Sequence, residues 1–112
     1  MIESILISYL SKKLNKPIYA EVPENMPSEF VLIEKVGGQG SIFYEKASVA
    51  IQSYSTTLLN AVKLNRDVKK AMFNLTDLDK VISCSLDSDY NYTDEETKQY
   101  RYQAVFDIAF YD

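Results

Sequence analysis

Oxygen-bearing side chains alternate along one acidic stretch of the chain, in a pattern that could bind a cation. Three of them are spaced like the first half of a calcium-binding loop: Asp87, Asp89 and Asn91. An EF-hand, however, requires glycine at the position of Tyr92 and a bidentate glutamate at the position of Lys98. Because both are missing, this stretch and the acidic run at 94–96 are predicted to form a solvated hairpin tip with at most weak cation binding.

The segment Gly37-Gly38-Gln39-Gly40 has the composition of a phosphate-binding loop. Such a loop holds phosphate with backbone amides at the start of a helix, and a Lys-Ser or Lys-Thr pair follows it. Here Ser41 and Ile42 follow instead, between two predicted strands. The glycines are therefore predicted to form a mobile turn, since glycine chiefly marks unusual φ angles.

The usual residues of nucleophilic and acid–base catalysis are missing or poorly placed. The chain contains no histidine, which removes His-assisted nucleophiles and most mixed-ligand zinc sites. Cys84, the one cysteine, lies on the apolar face of a predicted strand and is interpreted as a core thiol in a reducing compartment. Glu21 and Glu24 fall in a predicted exposed loop, where burial would not activate them. The sequence thus predicts no enzyme, no metal and no cofactor.

The composition is that of a single globular domain spanning residues 1–112. Hydrophobic residues make up 46% and charged residues 25% of the chain, which excludes a disordered tail. The net charge of −4 disfavours binding to the phosphate backbone of nucleic acids. The chain starts with an amphipathic segment rather than a signal peptide, and no apolar run approaches membrane-spanning length. A membrane partner is therefore not expected.

The first half of the chain is predicted to form a helix followed by three extended segments. The helix has an apolar stripe at helical spacing: Ile2, Ile5, Leu6, Tyr9 and Leu10. It is predicted to end near 14–16, because Pro17 disfavours helical backbone at the residue before it. A short extended piece at 18–21 and strands at 30–36 and 47–54 follow, and the three glycines at 37, 38 and 40 are predicted to end the first of these strands.

The second half is predicted to form a long helix and a hairpin. Ser55 or Thr56 can cap a helix running to about Asn74, with the apolar stripe Leu58, Ala61, Leu64, Val68, Ala71, Met72 and Leu75. The next strand has on one face Ile82, Cys84 and Leu86. The last strand has on one face Tyr100, Tyr102, Ala104, Phe106, Ile108 and Phe110, and on the other Arg101, Gln103 and Asp107. The predicted fold class is α+β, with two helices packed on an antiparallel or mixed sheet of about five strands in the order α-β-β-β-α-β-β.

Four of the nine tyrosines fall in the last hairpin: Tyr90, Tyr92, Tyr100 and Tyr102. Base stacking would require interleaved positive charge, but residues 82–96 contain no Lys or Arg. Protein contact is the better interpretation for the rings that are not in the core, because tyrosine supplies large contact area at low entropic cost.

Three segments, in this order of elements, resemble a known family. Residues 21–38 (EVPENMPSEFVLIEKVGG) resemble the tail terminator, or tail completion, proteins of long-tailed bacteriophages and prophages. In that family a Val-Pro-x-x-x-Pro connection leads into a strand of the type Phe-Val-x-Ile and a Gly-Gly turn. Residues 49–54 (VAIQSY) and 100–108 (YRYQAVFDI) resemble the strand before the family's second helix and its final strand. Many relatives carry Arg at the position of Met26 and Thr at the position of Val36, so the chain departs from the pattern there.

The resemblance implies a structural virion protein without catalysis or cofactor. It implies a ring, usually a hexamer, that caps the finished tail tube, ends its polymerisation and presents a surface to the head side. The implied partners are further copies of the chain, the tail-tube protein and the head-side connector protein, with DNA only passing through the bore. The implied location is the head–tail joint of the virion, after synthesis in the host cytoplasm.

Two regions of opposite charge could supply the unlike surfaces that a ring requires. We call the first the basic helix face; its residues on the predicted second helix are Leu59, Val62, Lys63, Arg66, Lys69, Lys70 and Phe73. We call the second the acidic hairpin; its residues are Asp87, Asp89, Tyr90, Tyr92, Asp94, Glu95 and Glu96. The hypothesis is that the two meet across neighbouring subunits, or that one meets the tail-tube protein. The competing interpretation is a solvated lysine face and a mobile hairpin.

Two other functions are compatible with the sequence. The first is a head-completion or connector protein of the same head–tail joint, which would bind portal complexes rather than the tail tube. The second is a small cytosolic regulatory or ligand-binding domain, which would stay monomeric and retain a metabolite in a cleft under the sheet.

Overall fold

A computed structural model describes all 112 residues of the chain. The elements are, in chain order, helix α1 (Ile2–Leu14), strand β1 (Ile18–Tyr19), strand β2 (Phe30–Gly40), strand β3 (Glu45–Ser55), helix α2 (Leu58–Phe73), a short 3-10 helix (Leu75–Asp77), strand β4 (Val81–Asn91) and strand β5 (Tyr100–Phe110). This confirms the predicted α+β class and the order α-β-β-β-α-β-β.

The five strands form one sheet in the order β1-β2-β3-β5-β4. The sheet is mixed, because β1 pairs in parallel with β2 while every other neighbouring pair is antiparallel. The register places the β2–β3 turn at one end of the sheet, where Phe110 is paired with both Glu45 and Val81. The turn between β4 and β5 lies at the opposite end, beyond the pair Ser55 and Tyr100. The chain is accordingly elongated, with extents of 44 × 25 × 25 Å.

Both helices pack on the same face of the sheet and enclose the core there. The strands contribute alternate side chains to this face, among them Val31, Ile33, Val49, Ile51, Ala104, Phe106 and Ile108. The helices contribute the predicted stripes, among them Ile2, Leu6, Leu10, Leu64, Val68 and Met72. One predicted stripe member differs: Leu58 is 40% exposed, because it lies in the first turn of α2, just after the chain leaves the sheet.

The helix boundaries follow from local capping chemistry. Helix α1 ends at Leu14, and Asn15 adopts the left-handed conformation (φ 54°) that closes the helix before Pro17. Helix α2 is capped by Thr57, whose side chain accepts a hydrogen bond from the backbone N–H of Asn60 at 3.1 Å. The prediction of Ser55 or Thr56 as the cap was wrong, because Ser55 is still part of β3.

Strand β2 does not end at Gly37 and Gly38, contrary to the sequence prediction of a strand at 30–36; it runs to Gly40. Gly37, Gly38 and Gly40 all pair with β3, and no glycine in the chain has a positive φ. The strand continues because the ladder with β3 runs as far as the pair Gly40 and Glu45, so cross-strand hydrogen bonds outweigh the low strand propensity of glycine. The turn therefore lies further along, at residues 41–44.

Two other strands differ from their predicted form. Strand β1 covers only two residues of the expected 18–21 segment. In β4 a bulge between Val81 and Ser83 removes Ile82 from the predicted alternation, while Cys84 and Leu86 pair with Ile108 and Phe106 and share one face; a second bulge lies between Leu86 and Ser88. Cys84 packs against the core, but Ile82 and Leu86 are exposed, because β4 is the edge strand of the sheet.

The observed cap makes a specific prediction about stability. Replacing Thr57 with alanine removes the acceptor for the Asn60 N–H and is expected to lower the free energy of unfolding by about 1 kcal/mol. The measurement is urea denaturation followed by far-UV circular dichroism. Thr56→Ala is the matched control, since Thr56 makes no capping bond, and an equal loss in both variants would contradict the assignment.

Candidate interaction surfaces

The acidic hairpin is an ordered extension of the sheet rather than a loose loop. Strands β4 and β5 extend to Asn91 and from Tyr100, so three residues predicted near a solvated tip lie within β4 instead: Asp87, Asp89 and Asn91. The tip itself is fixed by Asp94, whose carboxylate accepts a hydrogen bond from the Glu96 backbone N–H at 3.1 Å. A side-chain hydrogen bond with Thr97 lowers the pKa of Asp94. The glutamates Glu95 and Glu96 are exposed beside it.

Arg101 joins the acidic hairpin to the helix-free face of the sheet. Its guanidinium lies 4.8 Å from the ring centre of Tyr92 and 5.5 Å from that of Tyr54. It also donates to the Tyr92 carbonyl at 2.7 Å and to the Tyr54 hydroxyl at 3.0 Å. Tyr54 in turn stacks on Phe30, with the ring centres 4.4 Å apart. The arginine is thus held between two aromatic rings, an arrangement that favours a rigid hairpin.

A chain of buried amides extends this cluster across the middle of the helix-free face. Gln52 donates to the Gln103 side-chain oxygen at 2.7 Å and accepts a hydrogen bond from the Tyr54 hydroxyl at 3.1 Å. Gln103 donates onward to the hydroxyl of Tyr90. The sequence prediction correctly placed Gln103 on the face opposite Phe106, but Gln103 is only 8% exposed because these tyrosines and amides cover it. Sequence reasoning did not identify the Gln52–Gln103 pair, since the two residues lie 51 positions apart.

The outer side of α2 carries six of the seven residues predicted for the basic helix face, all except Lys69. Its apolar members Leu59, Val62 and Phe73 are exposed, and so are the cations Lys63, Arg66 and Lys70. Mixed apolar and cationic side chains on one exposed helix face favour contact with an acidic partner surface.

One pair from the two oppositely charged regions already meets within the chain. Lys69 forms a salt bridge with Asp89, and Asn65 donates to the same carboxylate at 2.7 Å. The contact arises because Asp89 pairs with Ala104 and so shares the face of the sheet that α2 covers. The hypothesis of contact between subunits is therefore corrected for Lys69 and Asp89, whose charges are paired in cis. The other residues of the two regions remain candidates.

The remaining candidates for chemistry are not brought together by the fold. Cys84 is half-buried against the core, and burial raises the pKa of its thiol to about 11, so little reactive thiolate exists at neutral pH. Glu21 and Glu24 are exposed. No group of three or more His, Cys, Asp or Glu side chains is arranged to hold a metal ion.

A third surface, which sequence reasoning missed, is the turn at residues 41–44; we call it the apolar tip. Ile42 is 91% and Phe43 is 76% exposed at the end of the β2–β3 hairpin. The Ser41 hydroxyl holds the turn: it donates to the Tyr44 carbonyl at 2.8 Å and accepts from the Phe43 and Tyr44 backbone N–H groups at 3.2 and 3.1 Å. The sequence feature that could have identified this surface is the pair of large apolar residues, Ile42 and Phe43, that follows the glycine-rich segment.

A shallow cavity of about 470 Å³ lies near the apolar tip, on the helix-free face. Small residues from four strands line it, including Gly37, Ser48, Ser83, Ser85 and Ala109. The Ser48 hydroxyl donates to Asp107 at 2.6 Å. Small side chains therefore leave this part of the helix-free face open.

No protein-family model matches the chain, and comparison with curated proteins finds no match. None of the helices combines the length and apolar character needed to cross a membrane. The fold and its three exposed surfaces therefore carry the functional argument.

A double-mutant cycle tests the pairing in cis. Lys69→Met and Asp89→Asn should show a coupling energy of about 0.5–1 kcal/mol in the unfolding of the monomer, because the salt bridge is formed within one chain. Denaturant titration at protein concentrations too low for association measures it. The control cycle, Lys63→Met with Asp87→Asn, should show no coupling. A zero value for both cycles would restore Lys69 and Asp89 as candidates for contact between subunits.

Proposed function

We propose that the protein is a structural component of a phage tail: a tail terminator that caps the tail tube as a ring and forms the surface joined by the head connector. The three segments that carry the resemblance support this. Most of their length, residues 30–38, 49–54 and 100–108, lies in β2, β3 and β5, which are adjacent strands at the centre of the sheet; residues 21–29 of the first segment form the connection that leads into β2. The resemblance therefore concerns the three central strands of the sheet and the connection that leads into β2.

The observation that carries the proposal is the presence of unlike exposed surfaces on one rigid chain. The apolar tip lies at one end of the sheet, and the tip of the acidic hairpin lies at the other end. The basic helix face lies on the outer side of α2. Exposed apolar residues that lie side by side, as Ile42 and Phe43 do, are common at protein contacts, and unlike surfaces are what a head-to-tail assembly uses.

The area of a stable interface sets how much of the subunit surface the ring contacts must bury. A stable contact buries about 800 Å² on each partner, so a ring subunit with two neighbours would bury roughly a quarter of its 6611 Å² accessible surface. Exposed ion pairs contribute only about 0–1 kcal/mol each. The apolar side chains Leu59, Val62 and Phe73 would therefore supply most of the affinity where the basic helix face meets a partner.

The net charge of −4 supports the passage of DNA through the bore of such a ring, since a negative protein does not retain the phosphate backbone. The protein would act at the head–tail joint of the virion after synthesis in the host cytoplasm.

Electron microscopy of tails assembled with and without the protein tests the function. Tubes of defined length that end in a cap are expected with it, and overlong tubes without heads are expected in its absence. Unchanged tube length would contradict termination. Binding to portal complexes, with no binding to tubes, would identify a head-completion or connector protein instead.

Charge reversal tests the basic helix face. Arg66→Glu with Lys70→Glu is expected to weaken ring assembly or tube binding, because the variant places negative charge opposite an acidic partner surface. Sedimentation of the protein alone and with tubes measures both. The matched control, Lys12→Glu with Lys13→Glu, makes the same net charge change on exposed residues of α1. Normal assembly of the α2 variant would remove this face from the interface.

A further inference from the structure

The sheet has two edges whose backbone groups lack a partner strand. Strand β1 covers only Val31 and Leu32 of β2, so the outer edge of β2 is free from Ile33 to Gly40. Strand β4 is free along its whole outer edge. No hydrogen bond from turns or loops covers residues 33–40 or 82–91. Free strand edges of this kind pair readily with another strand.

The two free edges lie at the same position along the strand axis and run in opposite directions. The register runs from Gly37 through Ser48 and Asp107 to Ser85, and from Gln39 through Lys46 and Ala109 to Ser83, so both edges lie at the β2–β3 end of the sheet. Three antiparallel pairings separate β2 from β4, which makes these two strands antiparallel to each other. Two copies placed side by side, with their strands aligned, would therefore bring the β4 edge of one into antiparallel register with the β2 edge of the other.

Bulges limit the regularly paired part of each edge strand to a short stretch. In β2 the bulge at Lys35–Gly37 leaves Gly37–Gly40 regular, and in β4 the two bulges leave Ser83–Leu86 regular. These four-residue stretches lie at nearly the same level. The bulges disfavour indiscriminate pairing elsewhere along the edges, while the regular stretches remain available to a partner with the matching spacing.

Both edges also carry exposed apolar side chains at the β2–β3 end of the sheet. The apolar tip lies just beyond Gly40, and on the other edge Ile82 is exposed beside Val81. Tyr111 is also exposed. It lies close to Ile82, because the Tyr111 backbone N–H donates to the carbonyl of Lys80 at 2.7 Å. Edge pairing between copies would thus place Ile42 and Phe43 near Ile82 and Tyr111, and would withdraw four large side chains from water.

We propose that the free edge of β2, together with the apolar tip, docks on the first half of β4 in a second copy of this chain. The contact is heterologous, so each copy uses its β2 edge toward one neighbour and its β4 edge toward the other, and the sheets join into a continuous ring. This inference rests on the ring in the proposed function and names the contact that builds it.

Cysteine cross-linking tests the edge pairing directly. The variant carries Gln39→Cys and Ser83→Cys in a Cys84→Ser background, two positions that are level with each other. Within one chain they are three strand spacings apart, about 14 Å, whereas a disulfide spans Cα atoms less than about 7 Å apart. Any disulfide is therefore between copies. A ladder of cross-linked species ending at the size of the ring is expected after mild oxidation, and circular dichroism checks the fold of each variant.

The matched control is Gln39→Cys with Ser11→Cys, which places the second thiol on the exposed side of α1. Rings that form but cross-link no better in the test variant than in the control would overturn the edge contact and leave the ring itself intact. A chain that stays monomeric in concentrated solution and with tail tubes present would overturn both the edge contact and the ring.

Substitution of the apolar tip gives a second readout. Ile42→Ser with Phe43→Ser should leave the monomer folded, because both side chains are exposed, yet weaken self-association about tenfold or more. The control is Val22→Ser with Met26→Ser, which removes two half-exposed apolar side chains from the connection between β1 and β2. Met26 lies beside Gln99, at the end of the sheet opposite the apolar tip. Analytical ultracentrifugation measures the association of each. Equal association of the tip variant and the unsubstituted chain would overturn the proposal.

Discussion

The burial of one sheet face beneath α1 and α2 is the interaction on which the rest of the structure depends. Val49 and Ile51 in the central strand β3 are fully buried there, and Phe106 of β5 packs beside them. Two helices suffice for only one face of a five-stranded sheet. The other face must remain stable without a covering layer, and this constraint determines which residues it carries and which parts of the chain stay free for contact.

The helix-free face meets that constraint differently at its two ends. Toward the acidic hairpin it is covered by its own aromatic and amide side chains, in which Gln52 and Gln103 bond to each other and to tyrosines. An unpartnered buried amide costs about 1–3 kcal/mol, so a satisfied pair specifies one arrangement of the strands. This favours a rigid acidic hairpin over the mobile hairpin of the competing interpretation. Toward the apolar tip, glycine and serine leave the face without large side chains over an open cavity.

The sequence predicted those features that depend on local periodicity, and it missed those that depend on pairing between distant segments. The predicted alternation of β5 and the predicted apolar stripe of α1 were correct, because in each element the apolar side chains lie on the one face that packs against the core. The glycines were misread as a turn because their hydrogen bonds come from β3, and Ile82 was misplaced because a bulge shifts the alternation. The contact between Lys69 and Asp89 joins residues 20 positions apart, through a strand order that no local pattern specifies.

The composition of the free edges bears on how the chain would use them. Folded proteins usually protect an edge strand with lysine, proline or a covering loop, but β4 contains neither lysine nor proline between Val81 and Asn91. Its protection consists of bulges and the two aspartates, one of which is held by Lys69. The free part of β2 carries one lysine, Lys35, at the edge on the opposite side of the sheet. A chain with free edges on both sides of its sheet would be able to add copies without limit. Closure into a ring would pair the regular stretch of each β2 edge with that of one β4 edge, so that no copy keeps a regular free stretch to which a further copy can add.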